Sequence, residues 1–271
     1  MYFSPRRLLD QITLIHGPHD MLSQYFFIAD TAARDCGVRL RLRTDFERLI
    51  ELNEQNRDSW PPLSPIFNPM LSNLRIDTAF WIEGVDETGE TVATNAGRLY
   101  HWPETTLADE LRSLRVFYDD PAPHIAAGES VQVSARSANG IRGEAVFTGA
   151  MWVRPDYRRH GLTKVIPRIS RTYAYTRWGN PLFWALIEPD LHRIGVTRAY
   201  GPWHHEEGVL VRLASWRGDL PFRLLTATCD TMIADIASLV DQATSEIARW
   251  TDTPRMNNSS SAPRQGISMR S

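Results

Sequence analysis

The sequence predicts a mixed α/β protein whose central sheet is mostly antiparallel and is flanked by helices on both faces. Strand-like and helix-like stretches alternate along the chain instead of falling into two separate blocks. Two of the strand candidates, residues 145–153 and 182–187, are almost continuously apolar, which is typical of strands covered on both faces. A chain of 271 residues with 42% hydrophobic residues is also long enough to bury a large core.

The first third of the chain begins with helical patterning. Residues 1–36 are predicted to form a helical extension, because apolar residues recur there at helical spacing. Residues 38–43 alternate between apolar and charged side chains, which is typical of a half-buried strand. A helix is predicted from 44 to about 57, since Thr44 and Glu47 have the spacing of a capping box.

A proline-rich stretch and a hairpin come next. Four prolines in residues 61–69 favour a broken segment with at most short helical turns. Residues 79–85 and 91–100 are strand-like and flank a glycine-containing turn, so we expect them to pair antiparallel. Residues 102–129 are predicted to be an insertion with one short helix, and insertions of this kind often border a functional site.

The second half carries the apolar strands. The strand at 145–153 is predicted to be central, and a helix is expected to begin after Gly161, with Pro167 near its first turn. The strand at 182–187 follows it. Further predicted elements are a poorly defined connection at 190–200, strands at 208–213 and 222–228, a helix at 230–250 capped by Asp230, and a disordered tail at 251–271.

Composition narrows the classes of function. The formal net charge of −2 does not favour a nucleic-acid partner, and the longest apolar runs are far shorter than a membrane-spanning helix requires. The N-terminal segment lacks the apolar core of a signal peptide, so we expect a cytoplasmic protein. Cys36 and Cys229 do not form a metal-type pair, and no metal is predicted.

The most informative stretch is residues 153–164. A buried strand leads into an arginine-rich loop, and the loop leads into a helix whose first amides have no partner within the helix. Such a helix end attracts anions. Arg158, Arg159 and Lys164, the only lysine of the chain, add full positive charges, and Gly161 allows the backbone to approach a ligand closely. This pattern predicts a phosphate or pyrophosphate site.

The same loop resembles the GNAT superfamily of acyl-CoA-dependent N-acyltransferases. Its signature, Gln/Arg-x-x-Gly-x-Gly/Ala, is matched by Arg158, Gly161 and Thr163, with Thr163 in place of the usual small residue. The resemblance implies that residues 37–229 form a GNAT-like acyltransferase domain and that acetyl-CoA is the cosubstrate. The residues it implies for binding the cosubstrate are Met151, Trp152 and Val153, through main-chain pairing with pantetheine, and Arg158, Arg159, His160, Gly161, Leu162, Thr163 and Lys164, chiefly through backbone amides to the pyrophosphate.

The resemblance also suggests catalytic candidates. Family members typically use a tyrosine after the fifth strand to protonate the leaving thiolate, and Tyr200 is the matching residue. Glu188 directly follows the strand at 182–187, where burial would raise the pKa of its carboxyl and make it a base. His192 and His204 are the reserve candidates for that base.

The sequence therefore predicts an N-acetyltransferase that acts on a primary amine by direct attack within a ternary complex. The acceptor is expected to be an amine-bearing small molecule or peptide, and a homodimer is possible. The alternative is a catalytically inactive GNAT-like module that senses acyl-CoA or binds another protein. Thr163 at the position of a small residue is the feature that keeps this alternative open.

Overall fold

The computed structural model describes residues 7–216 and 218–251, the last five of them in backbone only. Within these residues one sheet is formed, in the strand order β1-β2-β3-β5-β6-β8-β7-β4. Only the β5–β6 pair is parallel. The strands are β1 (Arg39–Arg43), β2 (Ala79–Val85), β3 (Thr91–Trp102), β4 (Ser130–Val133), β5 (Gly143–Val153), β6 (Leu182–Ile187), β7 (His204–Arg212) and β8 (Leu220–Ala227).

Helices cover both faces of this sheet, so the predicted fold class is confirmed. The helices are α1 (Leu8–Gln11), α2 (His19–Asp35), α3 (Phe46–Gln55), α4 (Leu107–Arg112), α5 (Ala122–Ala126), α6 (Leu162–Trp178), α7 (Pro189–Arg193), α8 (Val196–Ala199) and α9 (Cys229–Thr251). Among the residues described, no helix combines the length and apolar character needed to cross a bilayer. The predicted tail at 251–271 lies outside the described residues except for Thr251, the last residue of α9.

Two apolar clusters, one on each face, hold the helices to the sheet. Successive strand residues point to opposite faces. Trp81 of β2 therefore joins the cluster that includes α3 and α4, whereas its neighbours Phe80 and Ile82 join the cluster that includes α2, α6 and α9. The same alternation separates Trp184 from Phe183 in β6. Strands covered on both sides explain why the apolar runs in the sequence are nearly continuous.

The capping box predicted at Thr44 and Glu47 is wrong. Helix α3 begins one residue later, with Asp45 as its N-cap, and no side chain caps it. The Asp45 carboxylate instead accepts hydrogen bonds from Arg43, whose Nε lies 2.9 Å from Oδ1. The fork of the Arg43 guanidinium carries a full positive charge and matches both oxygens of the carboxylate, which a single backbone amide does not.

Two features of the middle of the chain were not anticipated. Strand β4 pairs antiparallel with β7 at the edge of the sheet, although only four residues form it. The predicted insertion at 102–129 also contributes to the core, because Leu111 and Phe117 are fully buried in the cluster below α3. The Tyr118 hydroxyl donates to the Glu129 carboxylate at 2.6 Å, which ties the middle of this segment to its C-terminal end.

Pro167 lies in the second turn of α6, not near the first turn as predicted. Its ring removes the amide that would have bonded the Thr163 carbonyl four residues earlier. The helix nevertheless continues to Trp178, because Ile166, Ile169 and Tyr173 are buried against the sheet. Tertiary packing therefore outweighs the unfavourable effect of proline on an isolated helix.

Helix α9 is capped by Thr228, not by Asp230 as predicted: the Thr231 amide donates to the Thr228 hydroxyl at 3.2 Å. We expect Thr228→Val to reduce the free energy of unfolding by about 1 kcal/mol, because that amide loses its acceptor. Thermal unfolding should show a midpoint lower by roughly 2–4 °C. The control is Thr244→Val, an exposed position within the same helix. Equal midpoints for the two variants would show that Thr228 is not a stabilising cap.

Candidate functional site

The two parallel strands at the centre of the sheet pair over only part of their length. β5 and β6 are in register at Ala145–Leu182, Val146–Phe183 and Phe147–Trp184. β6 continues to pair with β8 as far as Ile187, and β5 continues to pair with β3 as far as Val153. Within the described part of the chain, no strand pairs with β5 on its β6 side beyond Phe147. This leaves a main-chain edge open between the two strands.

A β-bulge lies on that open stretch of β5. The register with β3 shifts between Thr94 and Ala96, and Ala150 has a positive φ of 51°. Side chains of β3 hold the bulge in place: the Thr94 hydroxyl donates to the Ala150 carbonyl at 2.7 Å, and the Asn95 amide donates to the Gly149 carbonyl at 3.1 Å. Bulges bend a strand and redirect its groups, and they are common beside functional sites.

The loop after β5 presents a row of backbone amides. Arg159 and Gly161 have positive φ values of 69° and 94°, and α6 begins at Leu162. Among the described hydrogen bonds, the amides of residues 159–163 meet no acceptor. Alternating backbone conformations with free amides form an anion-binding concavity, and the N-terminus of a long helix reinforces it. The backbone amides of Arg158 and Lys164, at the two ends of the predicted amide set, are not free. The Arg158 amide donates to the Pro155 carbonyl, and the Lys164 amide donates to the Gly161 carbonyl.

The charged side chains of the loop divide into two groups. Arg159 and Lys164 are exposed, and no carboxylate of the described residues forms a salt bridge with either. Arg158 has a structural role instead: its Nε donates to the Val153 carbonyl at 3.0 Å, and its Nη2 donates to the Ser59 carbonyl at 3.2 Å. These bonds to neutral carbonyls position the Arg158 side chain but leave its guanidinium charged and exposed, so its contribution to an anion site stays a prediction.

The three residues predicted to pair with pantetheine have different surroundings. Met151 is half-buried, packs against the apolar cluster on the α6 side of the sheet and also borders a cavity on the α3 side. Trp152 is buried, stacks on Trp60 with ring centroids 5.1 Å apart, and donates from Nε1 to the Ser59 hydroxyl at 3.1 Å. The Val153 carbonyl already accepts a hydrogen bond from Arg158.

A cavity of about 500 Å³ lies between the bulge and the end of β6. Its walls are mainly apolar, and its floor includes Gly149, Ala150 and Met151 of β5. Glu188 lines it from the other side, immediately before α7. Glu188 is exposed, so the burial expected for it is wrong. The β6 strand ends at Ile187, and the chain turns outward into α7 before the carboxyl can be enclosed.

Tyr200 is held on the other side of the sheet and does not line the cavity. It follows α8, and two arginines of α6 bind the backbone there: the half-buried Arg168 donates to the Ala199 carbonyl at 2.7 Å, and the buried Arg171 donates to the Tyr200 carbonyl. Asp235 of α9 pairs with Arg168 at 2.7 Å and neutralises part of this charge. Burial raises the pKa of the Tyr200 hydroxyl to about 12, so it is protonated at neutral pH.

Sequence reasoning missed these two arginines. Arg171 is fully buried, and its guanidinium lies 4.6 Å from the centre of the Trp203 ring. Burial lowers its pKa to about 10. No signal in the sequence indicated this, because at about 3.6 residues per turn Arg171 lies on the side of α6 opposite Ile169 and Tyr173, where the pattern predicts an exposed side chain.

The histidine candidates lie away from the cavity. His192 accepts or donates a hydrogen bond with the Thr197 hydroxyl at 2.9 Å, and its ring contacts that of His205 at 4.5 Å. Desolvation and the nearby charge of Arg223 lower the pKa of His192. His204 is exposed at the start of β7. In the described residues, no three histidine, cysteine or acidic side chains come together as a metal site would require.

No protein-family model matches this sequence, and no curated protein matches it significantly. This chain is similar in fold to solved structures that include the following three. Arabidopsis thaliana NAA60 in complex with a bisubstrate analogue is 13% identical over 70% of this chain and 98% of its own, with a TM-score of 0.41. Vibrio cholerae spermidine N-acetyltransferase is 8% identical over 72% of this chain and 98% of its own, at 0.42. An uncharacterized Bacillus halodurans protein is 12% identical over 76% and 91%, at 0.44. At this level of similarity, function has to be inferred from the residues of this chain itself.

Proposed function

We propose that this protein is an acyl-CoA-dependent N-acyltransferase, most simply an acetyltransferase that acts on a primary amine. One observation carries the proposal: the open edge of β5 runs from a loop with five free amides, at residues 159–163, to a cavity lined by the bulge at Gly149–Met151. A pyrophosphate at the loop and a pantetheine arm along β5 would bring a thioester to that cavity. The motif around Gly161, with its resemblance to the GNAT superfamily, points to the same cosubstrate.

In this mechanism a neutral amine in the cavity attacks the thioester carbonyl. A carbon–nitrogen bond forms, the carbon–sulfur bond breaks, and CoA leaves as a thiolate. Glu188, at the mouth of the cavity, accepts the proton that the amine nitrogen loses, either directly or through a water molecule. We propose that the sulfur lies in the open gap between β5 and β6, so that Tyr200, which is held on the α6 side of the sheet, supplies a proton to the thiolate and regains one from solvent. Its high pKa ensures that it holds this proton beforehand.

The proposal is tested by titration with acetyl-CoA, followed by a thiol-release assay across a panel of primary amines. Saturable binding with amine-dependent release of CoA is the expected result. Binding without release from any amine would favour the inactive sensing module, for which Thr163 in the signature is the specific sequence observation. Failure to bind acetyl-CoA would contradict both functions.

The two arginines of the loop should behave differently. We expect Arg159→Ala to raise the Kd for CoA about tenfold, because one charge-assisted contact to phosphate is lost. Its thermal midpoint should not change, since the described residues offer Arg159 no partner. Arg158→Ala should lower the midpoint, because the Val153 and Ser59 carbonyls each lose a donor.

Calorimetric titration with CoA and thermal unfolding separate the two effects. The matched control is Arg142→Ala, an exposed arginine just before the opposite end of β5. The assignment of the loop is contradicted if Arg159→Ala and Arg142→Ala bind CoA with the same Kd.

A further inference from the structure

The cavity beside the β5 bulge has an unusual balance of charge. Of the side chains that line it, only Arg57 and Glu188 are charged, and both are exposed. Its interior is made of aromatic and aliphatic groups. The large apolar residues of the lining are Trp60, Leu63, Ile66, Phe117, Phe147, Met151, Leu186, Leu191, Trp216, Leu220 and Phe222. A lining of this kind offers one carboxylate to a cation and no second acidic group deeper inside.

The walls of the cavity are held in place by their own contacts. Trp60 stacks on Trp152, with ring planes 8° apart. Trp216 donates from its indole nitrogen to the Pro62 carbonyl at 3.1 Å and contacts Phe222 at a centroid distance of 5.6 Å. The Leu63 amide donates to the side-chain oxygen of Asn53 at 2.9 Å, which anchors the loop that follows α3. An apolar cavity with fixed walls is suited to a hydrophobic group of defined shape.

From this lining we infer the class of acceptor, an inference that rests on the proposed function. The acceptor is a monoamine whose single nitrogen lies near Glu188 and whose body, an aromatic ring or a branched hydrocarbon, fills the cavity. The volume of about 500 Å³ falls in the usual range for small-molecule pockets, roughly 300–1,000 Å³. A polyamine or an amino sugar would instead place cationic or hydroxyl groups against apolar walls that cannot satisfy them.

The chemistry of the body determines the expected preference. Each methylene group buried in the cavity should raise kcat/KM about fourfold, the factor that corresponds to the usual transfer free energy. A second ammonium group in place of those methylene groups would meet no acidic side chain among the lining residues besides Glu188. The acceptor would then lose the gain in kcat/KM that the buried methylene groups give. We therefore expect 2-phenylethylamine to exceed 1,4-diaminobutane by at least tenfold in kcat/KM with acetyl-CoA.

The first experiment measures CoA release with ethylamine, 3-methylbutylamine, 2-phenylethylamine, tryptamine, 1,4-diaminobutane and spermidine. Comparison of acetyl-CoA with octanoyl-CoA, each with ethylamine, tests whether the cavity holds a long acyl chain instead. A tenfold gain from octanoyl-CoA, without any dependence on the amine, would overturn the inference. Equal or higher kcat/KM for the diamines would also overturn it.

A pair of variants tests the position of the acceptor. Leu191, on α7, lines the cavity and is 42% exposed, so an acidic residue there should be tolerated by the fold. Leu191→Asp should reduce kcat/KM for 2-phenylethylamine at least tenfold relative to that for 1,4-diaminobutane, because it adds a second carboxylate. Ile194→Asp is the control: Ile194 is 72% exposed, three residues further along, and is not part of the lining. An unchanged preference in Leu191→Asp would show that acceptors bind elsewhere.

Binding measurements keep the inference separate from the proposed function. If acetyl-CoA does not bind, the proposed function fails, whatever the amines do. If it binds but no amine is acylated, equilibrium dialysis of 2-phenylethylamine and 1,4-diaminobutane against the acetyl-CoA complex decides the inference. Tighter binding of 2-phenylethylamine, weakened by Leu191→Asp, supports it, and equal binding of the two amines overturns it.

Discussion

Replacement of Glu188 by glutamine should lower kcat/KM for the acceptor amine roughly 10²- to 10⁴-fold, the usual contribution of a general base. Glutamine keeps the size of the side chain but cannot accept a proton. Binding of acetyl-CoA should be unchanged, because Glu188 lies at the mouth of the cavity and not in the loop at residues 158–164 that we propose to bind the pyrophosphate. The deficit should narrow at high pH, because hydroxide and unprotonated buffer or amine can then accept the proton that the attacking nitrogen loses.

The control for this experiment is Asp190→Asn. Asp190 is an exposed carboxylate two residues further along, which pairs with Arg193 and does not line the cavity. Stopped assays of CoA release, with each variant at saturating acetyl-CoA, give the comparison. If Glu188→Gln retains wild-type activity at neutral pH, Glu188 is not the base.

Tyr200→Phe should lower kcat about 10²-fold and leave the KM for acetyl-CoA nearly unchanged. The substitution keeps the aromatic ring and removes only the hydroxyl that would protonate the leaving thiolate. Because the pKa of this hydroxyl is about 12, wild-type Tyr200 is protonated throughout the range from pH 6 to pH 9. The ratio of wild-type to variant kcat should therefore be constant over that range.

Tyr175→Phe provides a matched control, since Tyr175 is a half-buried tyrosine of α6 whose pKa is also raised by burial. A rate-limiting chemical step is verified by single-turnover measurement before the variants are compared. Wild-type kcat in Tyr200→Phe would remove the assignment of Tyr200 as the acid. It would leave the cavity and the loop assignments untouched, because Tyr200 contributes to neither.

The features that the sequence predicted correctly depend on near neighbours in the chain. The alternation in residues 38–43 and the apolar run at 145–153 specify which faces of a strand are covered, whatever the partner strand is. The loop around Gly161 was predictable for a similar reason. A positive φ at glycine, and free amides at the start of a helix, are local properties of the backbone.

Roles that depend on a distant partner were not predictable in the same way. Arg158 and Arg159 are adjacent and chemically identical, yet Arg158 meets a carbonyl 99 residues away, at Ser59, whereas Arg159 faces solvent. Thr44 has no capping role because α3 begins at Phe46, and Asp45, at the N-cap position, binds Arg43 instead of a helix amide. In each case several partners were chemically acceptable, and only the packing of the chain selected one of them.

Sequence alone thus determined the fold class, the order of the central elements and the presence of a glycine-containing loop with free amides at the start of a helix, because short-range periodicity and backbone conformation encode these features. Tertiary structure decided which charges remain free, that Glu188 stands exposed beside a cavity, and that aromatic residues from widely separated segments line it. The physical reason is that a cavity is made by side chains that meet only after folding. The local sequence pattern does not show which apolar residues will line a cavity and which will pack in the core.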